Sequence, residues 1–584
     1  MTAVAPFPPL ALRDYAVLAD GERGAVISPQ GEIVWMCAPT WHSPAVFAGL
    51  LGGEGHMSVS PVATHVWGGH YEPGTLIWRS RWITRDGIVM CREALAFPGD
   101  PHRTVLLRRV LGPDHDARVR LLVDPRADYG RTSATWRRSA PGVWTGRTGD
   151  LRLRLSGLRG RPRRSRQPAP ALCWDLQLSA GQHLDIVLEI SDQDLPAEVP
   201  DATEVWRATE TAWHEIGRDL DVGDRTAAAR HSLAVLRGLT SSSGGMVAAA
   251  TTSLPERAQA GRNYDYRYAW IRDLCYAAQA AAAAGTPDLL DMAVQFLTAR
   301  MCEHGDRLAP AYTVHGDRVP DQHPLHLPGY PGGFDRAGNW VNRQFQLDAF
   351  GEVLLTFAAA NAADRLDDDG HRAAELAVKA ITARWHEPDA GIWELNDQHW
   401  THSRLTCVAG LRAWGNVSTA PGDLVALADR ILADTSRHAL HPSGRWQRSR
   451  EDVGLDAALL IPPLRGAPPA DDPRTQATLE GVLAELTEDG HAYRFRHDKR
   501  PLHEAEGSFT LCSFFVAEAL AQQGRTIEAV RWFERAEGTW GPPEVFAEEY
   551  DVVEHQLRGN LPQAFVHAVH LEAAVRLAPE AIGP

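Results

Sequence analysis

The sequence predicts an α+β multidomain protein: an N-terminal antiparallel β-sandwich over residues 1–200, a linker helix over 201–225 and an (α/α)6 barrel over 226–584. Three observations carry this prediction. Before residue 200, short apolar runs are punctuated at close spacing by Gly, Pro and Asp, with no long helical period between them. From about residue 226 the apolar period turns helical and stays so. In that second half, every other loop is long and rich in aromatic, carboxylate and arginine residues. A chain of 584 residues also exceeds one ordinary core.

The sandwich is read from runs such as 104–110, 119–123, 151–155 and 184–190, which alternate or cluster apolar residues. Residues 202–221 read as a connecting helix bearing Trp206 and Trp213. Twelve helical segments follow, beginning near Thr226, Tyr266, Pro287, Gln344, His371, Ser403, Pro421, Leu455, Pro473, Ser508, Thr526 and Pro562. Gly285 ends the second, and Thr286-Pro287 opens the third as an N-cap followed by a proline at the first helical position. Asp472-Pro473 repeats the device, and Pro462-Pro463 cuts the eighth segment short. Even-to-odd connections are mostly compact. The odd-to-even loops (263–273, 315–342, 391–402, 488–507 and 544–560) are long. In an up-down barrel those long loops emerge at one end, which is how a pocket is built on a rigid scaffold.

Bulk properties bound the chemistry. A hydrophobic fraction of 44% and a charged fraction of 23% belong to a globular protein, and a net charge of −15 argues against a nucleic-acid partner. The basic run 159–166 reads as a solvated loop between strands, with an anion site as the alternative. Seven scattered cysteines form no C-x-x-C pair, no run approaches a membrane span, and the N-terminus lacks a secretory pattern. A cytoplasmic setting is expected, with no membrane partner. Oligomeric state leaves no mark in the sequence.

The stretch 261–273, Gly-Arg-Asn-Tyr-Asp-Tyr-Arg-Tyr-Ala-Trp-Ile-Arg-Asp, packs rings and ion-pairing groups against a helix start. Such a set suits a sugar, whose C–H faces stack on rings while its hydroxyls need paired donors and acceptors. A buried bracing cluster is the alternative. Two glutamates on the same face bear on chemistry: Glu394 in Gly391-Ile-Trp-Glu394 and Glu548 in Phe546-Ala-Glu-Glu-Tyr-Asp551. Glycosidic hydrolysis needs one carboxyl to protonate the leaving oxygen and a second, ionised one to activate water or attack carbon. Glu394 beside apolar Trp393 suits the acid, and Glu548 sits among Glu549 and Asp551. Each could instead be a capping residue at a helix start. No metal-ligand spacing, nucleophile elbow, P-loop or dinucleotide fingerprint competes, so neither metal nor cofactor is expected. His402, His567 and His570 read as structural.

These residues resemble glycoside hydrolase family 15, which includes glucoamylases, glucodextranases and trehalases. The resemblance runs through Thr251-Thr-Ser-Leu-Pro-Glu256, residues 263–273, Gln346-Leu-Asp-Ala-Phe-Gly-Glu352, Gly391-Ile-Trp-Glu394, Thr401-His-Ser403, residues 506–513, Glu548-Glu549 and Gly559-Asn-Leu-Pro-Gln-Ala-Phe565. Asp14-Tyr15, residues 24–34 and Ser43-Pro-Ala-Val-Phe-Ala48 resemble the family's bacterial N-terminal β-domain. The resemblance implies an inverting exo-acting α-glucosidase releasing β-glucose, with Glu394 as general acid and Glu548 as general base. Inversion requires the two carboxyls to stand roughly 6.5–9.5 Å apart, with room for water. Tyr266 would help hold that water, Trp270 would wall the sugar site, and Arg272 and Asp273 would grip the terminal glucose. Trp340, Trp393 and Glu549 complete the expected carbohydrate-binding set. The chain departs from the family pattern at Ile33-Val-Trp-Met-Cys37, at Trp41 and His42, in Gly338-Asn-Trp-Val-Asn-Arg-Gln344, and at Arg404 where a lysine is expected. Trp41, His42, Trp340 and Arg343 are therefore candidates to reshape the leaving-group site. The leading expectation is glucoamylase-like release of terminal α-linked glucose from short α-glucans or α-glucosides; trehalase action by the same two glutamates, and a non-catalytic sugar-binding protein, stay open as alternatives.

Overall fold

The computed structural model describes residues 9–112, 115–164, 171–417 and 421–578. Two eight-stranded antiparallel sheets stack face to face in the N-terminal domain. The first runs Ala16–Ala19, Gly24–Ile27, Glu32–Cys37, His56–Pro61, Ala117–Asp124, Leu172–Leu178 and Arg163–Arg164, with Ala45–Phe47 beside Glu32–Cys37. The second runs Thr135–Ala140, Val143–Thr148, Leu151–Ser156, His183–Ser191, Arg103–Leu111, Ile88–Leu95, Trp78–Thr84 and His65–Tyr71. All four apolar runs read from the sequence fall inside these strands. The pleat explains why. Along Ala117–Asp124, Ala117, Val119, Leu121 and Val123 are buried while Arg118 and Arg120 face solvent. Ile27, Val59, Trp82, Leu106, Leu121 and Leu188 fill the space between the sheets. In the basic run, Arg163–Arg164 form a short strand against Leu172–Cys173, and residues 165 and 166 lie outside the described ones, as do the first eight residues read for a leader.

The linker helix α1 (Ala202–Glu215) is capped by Asp201, which accepts from the N–H groups of Thr203 and Glu204. It buries Trp206 and Trp213, the latter stacked on Phe97 with ring centres 3.9 Å apart. Polar pins join the two domains: Trp35 Nε1 donates to Ala250 O (3.1 Å), and Glu22 accepts from Ser241 Oγ (2.8 Å) and Ser242 N (2.7 Å).

The helical domain comprises α2 (Thr226–Leu239), α3 (Ile271–Ala283), α4 (Pro287–His304), α5 (Asp348–Ala362), α6 (Asp368–Arg384), α7 (Thr401–Gly415), α8 (Pro421–His438), α9 (Ile461–Leu464), α10 (Pro473–Glu485), α11 (Leu502–Ala505), α12 (Thr510–Gln522), α13 (Thr526–Glu537) and α14 (Ala564–Arg576). Apart from α11, a single turn inside a loop, these are the twelve expected segments. Helices α3, α5, α7, α9, α12 and α14 pack each on the next, and α14 returns to α3, closing an inner ring. The others lie outside it. Composition matches position: residues 510–520 of α12 are all buried, whereas α13 buries only Ala529, Phe533 and Ala536. The Pro-Pro segment is indeed short, a 3-10 turn over Ala457–Leu460 running into α9.

Two local expectations change. Thr286 does not cap α4 through its side chain; its hydroxyl donates back to Ala281 O at 3.2 Å. The second helix starts at Ile271 rather than near Tyr266, because the preceding residues are extended: Asp265 bridges Thr252, and Ala269–Trp270 pairs with Ala311–Tyr312. Tertiary strand pairing overrides the local period there. Every outer-to-inner loop ends at the N-terminus of an inner helix, so all of them open at one end of the barrel.

Candidate active site

That end holds a cavity of roughly 470 Å3. Tyr266, Trp270, Arg272 and Asp273 reach it from before and within the first turn of α3, and Trp340 from before α5. Trp393 and Glu394 come from before α7, and Glu548 from before α14. The two glutamates thus line one hollow although the chain separates them widely.

Glu394 owes its position to a tight turn. Gly391 (φ +68°) precedes it, and a Cβ at Gly391 would sit 2.7 Å from the Trp400 ring. Glu394 itself adopts φ +56°, a conformation a side chain accepts only where the surroundings impose it. The turn sorts its groups: Ile392 O accepts from Arg272 Nη1 (2.7 Å), and Trp393 Nε1 donates to Asp456 (2.9 Å). Glu394 Oε1 accepts from Trp270 Nε1 (2.7 Å) and Arg272 Nη2 (3.3 Å). The carboxyl therefore meets an indole N–H, a guanidinium and, at 3.5 Å, Gln344 Nε2, and the Trp393 indole N–H is engaged by Asp456. Arg272 Nε and Asp273 Oδ2 stand 3.5 Å apart as a buried ion pair, and neither atom makes a hydrogen bond among the described residues. Burial pushes the Asp273 carboxyl up to about 6 against the pull of Arg272.

Elsewhere on the cavity lining, the Tyr266 hydroxyl lies 3.0 Å from both oxygens of Glu548. Its ring stands edge-on to Trp270 (5.6 Å) and stacks on Tyr264 (6.4 Å). Burial, and then the charge of Glu256, push Glu548 up to about 8. Burial likewise raises Glu256 to about 7, with Arg494 and Arg262 opposing. Burial works against the charge of Glu506 as well, but Arg494 (2.7 Å) and His497 (2.8 Å) hold it down at about 2.

The loop carrying Glu548 is braced from behind. Phe546 N donates to His567 Nε2 (3.2 Å), so the buried, neutral His567 carries its proton on Nδ1 and donates it to Ser232 Oγ (2.9 Å). Ser232 then donates to His570 Nδ1 (2.8 Å), and His570 Nε2 to Glu537 (3.0 Å). These histidines are structural, as is buried His402 beside Thr406.

Several expected site residues lie elsewhere. Glu549 does not line the cavity: it points to the other side of the strand Glu549–Asp551, fully buried, and accepts from Gly507 N (3.0 Å). A one-residue step along a strand reverses the side chain. Trp41 is a buried brace donating to Gly21 O (2.7 Å), and His42 is half-buried near Tyr268 and His315. Neither lines the cavity. Arg404 is ion-paired with buried Asp389. Trp340, by contrast, stands on the rim, 40% exposed, with the Arg343 guanidinium 4.0 Å over its ring. Sequence reasoning missed Glu256, Arg262, Gln344 and Arg494 as lining residues. Glu256, Arg262 and Gln344 each lay in a stretch singled out above, Thr251–Glu256, 261–273 and Gly338–Gln344, whereas Arg494 lay only within the long loop 488–507.

Among the described residues, no cluster of three or more His, Cys, Asp or Glu side chains is arranged to hold a metal ion, and no helix is long and apolar enough to cross a membrane. All seven cysteines are free. The arrangement suits acid–base cleavage of a glycosidic bond in a small carbohydrate.

Comparison with known proteins agrees. Residues 226–575 match the family described as "Glycosyl hydrolases family 15", and residues 9–174 match "Trehalase-like, N-terminal". The chain is 32% identical over 625 residues to a trehalase of Mycolicibacterium smegmatis, spanning 98% of this chain and 92% of that protein. It is 32% identical over 623 residues to a trehalase of Mycobacterium tuberculosis, spanning 98% and 90%. A bacterial glucoamylase complexed with acarbose shares the fold, with a TM-score of 0.70 at 13% identity over 99% of this chain and 98% of that one.

Proposed function

We propose that the chain, which belongs to glycosyl hydrolases family 15, hydrolyses trehalose with inversion at the attacked carbon. That it is a glycoside hydrolase follows from the family. The choice of substrate is supported by one observation above the others: likeness to trehalases runs at 32% identity through 98% of the chain, β-domain included, whereas likeness to a glucoamylase is one of fold. A cavity of about 470 Å3, lined by carboxyl, guanidinium and aromatic groups and with Trp340 at its rim, suits a disaccharide.

In this reading Arg272 and Asp273 hold the hydroxyls of the first glucose, and Trp270 packs against it. Glu394 protonates the oxygen between the sugars as the C–O bond breaks. Glu548, ionised and steadied by Tyr266, takes a proton from the water that attacks the anomeric carbon from the opposite face. One glucose leaves as the β anomer and the other retains its configuration. The glucoamylase-like alternative, cleavage of terminal α-linked glucose from short α-glucans or α-glucosides, uses the same two carboxyls and rests on fold.

Glucose release from trehalose, maltose, isomaltose and starch separates the readings, with proton NMR of the first product anomer reporting stereochemistry. Trehalose should be the best substrate. Turnover of maltose without turnover of trehalose would overturn the choice. Glu394→Gln should abolish hydrolysis while trehalose still binds, and unaltered activity would refute the acid; a wild type that binds trehalose but hydrolyses none of the four sugars would favour a non-catalytic sugar-binding protein.

A further inference from the structure

Glu256 opens on the cavity beside Glu548, and the two carboxyls are hydrogen-bonded. The backbone enforces their meeting. Gly559 N donates to Pro255 O (2.9 Å), and a Cβ on Gly559 would lie 3.4 Å from Glu548 Cβ and 3.7 Å from Glu256 Cγ. Both side chains therefore converge over one glycine, whose φ of +84° a larger residue adopts only with strain. Asn560 Nδ2 holds Tyr264 O (2.9 Å), tying the same turn to the aromatic wall.

The charges around the pair do not balance. Buried Glu256, Glu506 and Glu549 and half-buried Glu548 gather around two half-buried guanidinium groups, those of Arg262 and Arg494. Both guanidinium groups hydrogen-bond Glu506, at 3.4 Å and 2.7 Å, and His497 joins them there. The Glu256–Glu548 contact has no such direct cation among the described residues. Two carboxylates in hydrogen-bond contact cannot both ionise in a buried site, so one proton lies between them.

We propose that Glu256 is a positioning residue for the base: in the active form it takes the one proton the pair shares and donates it in a hydrogen bond to ionised Glu548, which with the Tyr266 hydroxyl fixes the carboxylate toward the attacking water. This rests on Glu548 acting as base. Several other groups face the pair: Arg262, Tyr264 and Tyr266 from the stretch before α3, Arg494, His497 and Glu506 from the loop before α12, Asp273 and Glu394 across the cavity, and Glu549 behind. None of these changes in a Glu256 variant, so a moved pH limb reports the pair.

The test compares Glu256→Gln with Glu256→Ala, measuring kcat, KM and the pH dependence of kcat/KM on an α-glucoside the wild type cleaves. Gln keeps a donor and should hold kcat within about fivefold of wild type, with the acid limb in place. Ala removes the donor and should lower kcat about 10–100-fold at little change in KM. Its acid limb should move up by about one pH unit, because Glu548 then ionises without its hydrogen bond. If Ala unfolds, Glu256→Met carries the same comparison. Gln and Ala behaving alike in both kcat and acid limb would overturn the proposal, as would an Ala variant indistinguishable from wild type. Glu548→Gln run in parallel separates the levels: if it stays active, the base assignment fails and takes this proposal with it. If it is inactive while the Glu256 variants match wild type, only the role of Glu256 falls.

Discussion

Replacing Glu548 by Gln should make the protein inactive and, at alkaline pH, more stable. The reason lies in where the carboxyl sits. Burial and the neighbouring Glu256 raise it from an ordinary 4.5 to about 8. A group whose pKa rises on folding contributes stability that is fully present below its unfolded value and is lost as pH climbs through the folded one. The relevant window is therefore pH 5 to 9. At about 1.4 kcal/mol per pH unit, a rise from 4.5 to about 8 sets a ceiling of roughly 5 kcal/mol. The proton lost in this window is the one Glu548 shares with Glu256, whichever carboxyl carries it, so the loss belongs to the pair and the part this substitution relieves is on the order of 3 kcal/mol. Gln fills the same space, carries no charge at any pH in the window and offers an N–H to Glu256. Melting curves of the two proteins should nearly coincide at pH 5 and separate steadily toward pH 9, the variant melting higher. A gap that stays constant across the window, or a wild type that is the more stable at pH 9, would refute the reasoning.

Other outcomes follow from single contacts. Tyr266→Phe removes the hydroxyl 3.0 Å from both Glu548 oxygens while leaving the ring against Trp270, so steady-state kinetics should show kcat down by about 10–100-fold with KM little changed. Trp340→Ala strips an exposed rim ring braced by Arg343 and should raise KM by roughly two- to tenfold with kcat near wild type. Arg465→Met leaves Glu572 buried without the guanidinium that grips both its oxygens, and should cost about 3–5 kcal/mol of stability, read by denaturant unfolding. Below its melting range that variant should keep full kcat, since Arg465 does not line the cavity.

Much of this was legible in the chain because local chemistry and tertiary position agree. The alternation in 117–124 is that of a strand with one buried face, and the Leu289, Leu290, Ala293, Phe296 and Leu297 spacing is that of α4, whose residues at those positions are all buried. The long loops announced the working end because each precedes an inner helix. Gly391, at the head of the motif that holds Glu394, stands where a Cβ would strike the Trp400 ring.

By itself, then, the sequence determined the two-domain architecture, the end of the barrel that opens, and the residue types on it, because periodicity, turn chemistry and loop length are local properties. Only the tertiary structure decided which neighbours share the cavity. It turned Glu549 away by one step of the strand while Glu548 faces in, drew Trp41 into the β-domain, and set Glu256 against Glu548 from nearly 300 residues away. Burial and charge sharing are properties of that meeting, not of either residue, so the protonation of the pair could be read only after the barrel had closed.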